Sequence, residues 1–168
     1  MDRFQIHKLA ETETIHTFDC GDEDLNDFIL HEASLYRKAK LAITYIVIDI
    51  EQNQVVAYFS LANDKIPLAE FACRTEFNRF RKKRFVNEKR IKSYPAVKLC
   101  RLAVSNSARG LHIGAFLLDF IKSFFVDDNK TGCRFITVDA YLNAVGFYRK
   151  AGFELLNESN HLFLHIAH

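Results

Sequence analysis

Two glycines and an arginine in the run RLAVSNSARGLHIGAFLLDFIKSFF, residues 101 to 125, are the first residues whose types and spacing point to chemistry. The apolar residues Ile113, Phe116, Leu117, Phe120, Ile121 and Phe124 recur at helical intervals, which predicts a helix beginning near Leu111 and packed by one face on a sheet. The first amides of such a helix have no intrahelical acceptors, and the helix dipole places partial positive charge at the same end. A turn of this kind can bind phosphate oxygens. Gly110 and Gly114 let a ligand approach the backbone closely, and Arg109 can add a charge-assisted contact. The same two glycines would also serve a tight turn and close helix packing, and the stretch by itself does not choose between these uses.

The elements that must position this loop are legible from periodicity. RFQIHKL reads as a first strand, and CGDEDLNDFILHEASLYRK as a surface helix capped by Asp22, with Leu25, Phe28, Ile29, Leu35 and Tyr36 on one face. KLAITYIVIDI and QVVAYFSLAN are β-rich runs joined by a polar turn, hence an antiparallel hairpin. YPAVKLCRLAV leads as a strand into the loop, and GCRFITVDA is the strand after the helix. NAVGFYRKAG is a short helix that stops at Gly152, and FELLN with HLFLHIA supplies a closing hairpin. The order predicts one α/β domain over residues 1–168, with a sheet of mixed strand direction.

Composition sets limits on the partners. The 168 residues are 49% hydrophobic, enough for one core, and no apolar run is long enough for a signal peptide or membrane span. A soluble, cytoplasmic protein with no membrane partner is expected. Cys20, Cys73, Cys100 and Cys133 are too far apart for a CxxC pair, and no histidine spacing suits a metal, so free thiols and no metal site are expected. The net charge of +2 conceals a basic block at residues 73–92, where nine Lys or Arg face two Glu. Such a block makes a solvated face or, with Phe77, Phe80 and Phe85 interleaved, a contact for a phosphate-rich partner such as RNA.

RGLHIG, entered from the strand CRLAV and followed by an amphipathic helix, resembles the acetyl-CoA diphosphate loop of the Gcn5-related N-acetyltransferases (GNAT). That family's pattern is Gln or Arg, two free positions, Gly, one free position, then Gly or Ala. Arg109 and Gly114 match it, and His112 stands where the family usually has its middle glycine. AVGFYRKAGF resembles the family's last helix and following strand, with Ala144, Phe147, Tyr148, Gly152 and Phe153 in place and Tyr141 replacing a common asparagine. The resemblance implies a largely antiparallel sheet of six to seven strands, splayed at the centre, with helices on both faces. It implies acetyl-CoA as donor, bound by Leu102, Ala103 and Val104 along the pantetheine arm through backbone contacts like those of an added strand. Arg109, Gly110, Leu111, His112, Ile113, Gly114 and Ala115 would hold the diphosphate, with Asn143 and Phe147 completing the set. It also implies direct attack by an amine on the thioester, with Tyr148 protonating the departing thiolate.

No GxSxG elbow and no evident Cys–His pair supports a covalent route. Asp64 and Asp139 are candidate carboxylate bases, though both also suit strand ends or turns. The lack of an evident base favours an α-amino group, of pKa about 8, over a lysine near 10.4. FDCGDEDLNDFILHEA, VVAYFSLAN and CRLAV look like the GNAT subgroup found as toxins in toxin–antitoxin pairs, which acetylate the α-amino group of aminoacyl-tRNA. The acceptor therefore stands as a small amine, a peptide or aminoacyl-tRNA. Members of the family often pair, so a homodimer is among the expectations. A nucleic-acid-binding module without catalysis and an acyl-CoA-binding protein without chemistry are the alternatives.

Overall fold

The computed structural model describes residues 3–82, 84, 91–127, 131–156 and 160–166. Its elements are β1 (Phe4–Lys8), α1 (Glu23–Asp27), α2 (Ala33–Lys38), β2 (Ile43–Asp49), β3 (Gln54–Pro67), α3 (Arg74–Lys82), β4 (Ser93–Val104), α4 (Ile113–Asp127), β5 (Phe135–Asp139), α5 (Val145–Lys150), β6 (Glu154–Leu155) and β7 (His161–His165). The seven strands stand in the order β1-β2-β3-β4-β5-β7-β6. β1, β2 and β3 pair antiparallel, as do β5 with β7 and β7 with β6, whereas β4 and β5 run parallel. This is the mixed, largely antiparallel α/β sheet expected from the sequence. The paired register of β4 with β5 runs from Ala96↔Phe135 to Lys98↔Thr137, and β4 itself continues to Val104.

The chain divides into two compact units, residues 1–62 with 99–121, and residues 63–98 with 122–168. In the first, Phe28, Ile29, Ala33, Ile46, Tyr58 and Ala103 belong to one buried cluster. The Tyr58 hydroxyl reaches out of it to donate to the Leu25 carbonyl at 2.7 Å, so its polar end is satisfied inside an apolar surround. In the second, Ile66, Phe77, Phe80, Tyr94, Phe135 and Phe163 form the core.

Asp22 caps α1 as its sequence position predicts, its carboxylate accepting from the Leu25 amide at 3.0 Å. The helix that follows is not uniformly α. Residues Phe28–Glu32 form a π-helical turn in which the Ala33 amide bonds the Phe28 carbonyl five residues back. The extra residue rotates the remainder, so Ala33 is buried and Leu35, expected on the inner face, is 61% exposed.

The basic block is corrected in the same way. Arg74–Lys82 is an amphipathic helix whose Phe77 and Phe80 lie in the core, so they are not available to stack on a base. Arg84 is drawn inward too, lying over the rings of Phe80 and Phe163 and paired with Glu154. Arg74, Arg79 and Lys82 remain exposed. Lys83, Phe85 and residues 86–90 of the block lie outside the described residues. No helix among the described residues is long and apolar enough to cross a membrane. The four cysteines are free thiols.

Candidate functional site

The loop between β4 and α4 belongs to the first unit. Ser105 follows β4 and caps the next turn, with its amide on the Val56 carbonyl at 2.8 Å and its hydroxyl accepting from the Ser107 amide at 3.3 Å. These bonds set up the single 3₁₀ turn Asn106–Ala108, whose Ala108 is buried. Gly110 then takes φ +84°, and a Cβ placed there would meet nothing within 4 Å, so the backbone is open to a ligand.

His112 takes φ +55°, the left-handed conformation that glycine prefers, at the position where glycine was the family's habit. The chain thus keeps a glycine-like path with a Cβ present. The His112 carbonyl accepts from the Phe116 amide at 3.1 Å, which is where the helical ladder starts. The amides of Ile113, Gly114 and Ala115 therefore precede it, at the positive end of the helix dipole. The helix begins two residues later than the periodicity placed it, because Leu111 and His112 complete the turn. Ile113 is buried, so only its backbone can serve a ligand, whereas Leu111, His112 and Ala115 are exposed. Leu102 and Val104 are half-buried and Ala103 is in the core, which fits a strand that offers main chain more than side chains.

Arg109, the residue expected to add a charge-assisted contact to phosphate, donates from Nη2 to the Cys20 carbonyl at 2.9 Å. Beside it, Asp19 accepts from the Gly21 amide, from Asn26 and from Asn106, and these bonds, in that order of effect, hold its carboxyl below the usual range. Asp19 and Asn106 escaped the sequence reading. They are 87 residues apart, and the only local signal was the FDCG turn before the first helix.

Tyr148, Asn143 and Phe147 belong to the second unit. A 3₁₀ turn, Leu142–Ala144, leads into α5, which ends where Gly152 takes φ +94° and donates to Arg149. Tyr148 is 6% exposed, edge-on to Phe147 and Phe153 at 5.2 and 5.5 Å between ring centroids. Burial pushes its phenol up to about 12, so it stays protonated throughout the neutral range. Phe147 is half-buried, and Tyr141 and Asn143 are exposed.

Neither candidate base survives as a free carboxylate. Asp64 lies inside β3, which runs four residues past the expected end at Asn63, and accepts from the Thr137 hydroxyl. Asp139 ends β5 and is held by Lys98 and His161. Burial works to raise its carboxyl, but the hydrogen bonds from Lys98 and His161 together outweigh it and hold the group below the usual range. Among the described residues no group of three or more His, Cys, Asp or Glu is placed to hold a metal ion.

The family described as acetyltransferase (GNAT) domain matches residues 80–168. No curated protein matches the chain significantly. Among solved structures, a tyrosine-to-phenylalanine mutant of KacT aligns with a TM-score of 0.80 at 22% identity, over 98% of this chain and 95% of that one. AtaT complexed with acetyl-methionyl-tRNAfMet aligns at 0.79 and 25% identity, over 96% and 94%. AtaTR bound with acetyl-CoA aligns at 0.74 and 26% identity, over 99% and 95%.

Proposed function

The chain belongs to the GNAT acetyltransferase family and is an acetyl-CoA-dependent N-acetyltransferase, and from that premise we propose that its acceptor is the α-amino group of an aminoacyl-tRNA. The observation that carries this choice is the likeness of nearly the whole chain to AtaT in complex with acetyl-methionyl-tRNAfMet. The absence of an unengaged carboxylate at Asp64 or Asp139 supports it, because an α-amino group of pKa about 8 is partly neutral without a base.

In this reading residues 1–168 act as one acetyltransferase domain. The amides that precede the α4 ladder, with the open backbone at Gly110, hold the diphosphate of acetyl-CoA. The backbone of Leu102, Ala103 and Val104 lies along the pantetheine arm, in the part of β4 beyond its register with β5. Bound acetyl-CoA supplies the thioester carbonyl that the amine attacks. Tyr148 then donates to the departing sulfur. Full transfer from a phenol at about 12 to a thiolate whose thiol is near 8.5 is uphill, so Tyr148 contributes chiefly by donating a hydrogen bond as charge builds on sulfur. The exposed Arg74, Arg79 and Lys82 of α3 supply the contact to RNA phosphate, without help from Phe77 or Phe80.

Thiol release measured with charged tRNA, uncharged tRNA and a panel of simple amines tests the acceptor. Release with charged tRNA alone supports the proposal. Equal or greater release with simple amines overturns it. Binding of charged tRNA should also weaken steeply with salt, and Arg79→Glu with Lys82→Glu should flatten that slope.

A further inference from the structure

The contacts made by Asp19 form a clasp on the loop that precedes α4. Its Oδ1 accepts from the Gly21 amide at 2.8 Å and from Asn26 Nδ2 at 3.0 Å, and its Oδ2 accepts from Asn106 Nδ2 at 3.0 Å. Its main-chain carbonyl accepts from the Asn106 amide at 2.8 Å, and the neighbouring Cys20 carbonyl takes Arg109 Nη2 at 2.9 Å. Cys20 is in turn fixed by its amide on Asn26 Oδ1 at 2.9 Å. Asn106 and Arg109 bracket the 3₁₀ turn, so both ends of that turn are tied to the same two residues. Gly21 fits the arrangement closely: at φ +84° a Cβ on it would lie 3.2 Å from Arg109 Nη2.

The body of α4 needs no such tether, because Ile113, Leu117, Leu118 and Ile121 are buried. Gly110, Leu111 and His112 are exposed, and their path depends on what holds the turn before them. We propose that Asp19 is a positioning residue for acetyl-CoA, fixing the Asn106–His112 segment so that the amides at the start of α4 meet the diphosphate. This rests on the loop being the diphosphate site. Phe18 and Cys20, on either side of Asp19, belong to the buried cluster of Phe28, Tyr58 and Ala103, whereas Asp19 and Asn106 are themselves exposed, so exchanging these two side chains bears on the loop more than on the core.

Reciprocal exchange tests the proposal, with the acetyl-CoA Kd by calorimetry and the ligand-free Tm as readouts. Asp19→Ala removes the acceptors of the clasp, and Asn106→Asp sets two carboxylates against each other. Each single variant should weaken acetyl-CoA binding about fivefold to tenfold with little change in Tm. The double variant Asp19→Asn with Asn106→Asp restores a donor and an acceptor, and its Kd should return to within about twofold of the parent. Single variants with unchanged Kd, a double variant no better than the worse single one, or a Kd loss that only tracks a large fall in Tm would each overturn the role of Asp19. Gly114→Asp separates the two levels. If it leaves acetyl-CoA binding intact, the diphosphate assignment falls and the role of Asp19 with it. If it abolishes binding while the Asp19 and Asn106 variants bind normally, only the role of Asp19 falls.

Discussion

The left-handed conformation of His112 invites a graded perturbation. At φ +55° an L-residue sits about 1–2 kcal/mol above its preferred regions, a cost that glycine does not bear. His112→Gly removes that cost but loses roughly 0.5–1 kcal/mol to the greater freedom of glycine in the unfolded chain. The net gain should lie between zero and about 1.5 kcal/mol, a rise in Tm of at most about 6 °C for a chain of this size. His112→Asn should be near neutral, since Asn tolerates this region. His112→Val is the opposite case, because a β-branched residue is a marked outlier there and the turn should relax toward negative φ. The amides that precede the α4 ladder would then be misaligned, weakening acetyl-CoA about tenfold, or about 1.4 kcal/mol. Scanning calorimetry without ligand and titration with acetyl-CoA read the two effects separately. The expected order of affinity is Gly equal to or tighter than His, Asn close to His, and Val far weaker. Unchanged binding by the Val variant would refute the backbone argument. Weaker binding by the Gly variant would show that the imidazole itself contacts the ligand.

Three further variants have expected outcomes of their own. Gly114→Asp, at the second residue of α4, should abolish measurable acetyl-CoA binding in calorimetry by placing bulk and negative charge beside the diphosphate. Tyr148→Phe should lower kcat about a hundredfold with less effect on the acetyl-CoA KM. Its stability should also differ in alkali. With the folded phenol at about 12 against about 10 unfolded, the parent's stability is complete below about pH 10 and falls by about 3 kcal/mol as pH rises to about 12, and denaturant titrations of the Phe variant should lack this part of the loss. Asp22→Ala removes the cap on the Leu25 amide and should cost about 1 kcal/mol, read as a fall of about 2–4 °C in Tm.

What could be read from the sequence was what local rules govern. The strand alternation, the apolar face of α4, the Asp22 cap and the stop at Gly152 each depend on residues within a few positions of one another, and each was placed to within a few residues. The loop was legible because glycine and its neighbours carry their meaning in their own φ angles. What escaped depends on distant or averaged effects. The π turn at Phe28–Glu32 has no composition of its own, so Leu35 was assigned to the wrong face. The phenylalanines of α3 were open to two uses until β4, β5 and β7 supplied Tyr94, Phe135 and Phe163 around them. Asp139 could not be seen as engaged before Lys98 and His161 were brought to it by strand pairing. Asp19 was invisible as a partner of Asn106, because no local pattern encodes a contact 87 residues long.

The π turn also says something about how this chain tolerates insertion and deletion. The turn absorbs one surplus residue, so everything after it stands about 100° back from where an unbroken α-helix would place it. That offset presents Tyr36 edge-on to Phe28 at 5.3 Å, and the Arg101 guanidinium rests on both rings, 3.7 Å from the centroid of Phe28 and 5.4 Å from that of Tyr36. Removing any one residue of Phe28–Glu32 would let the segment run as an unbroken α-helix with Leu35 still outward and Tyr36 still against Arg101. A second surplus residue would have no such turn to absorb it, and a cation would lose half of its aromatic seat.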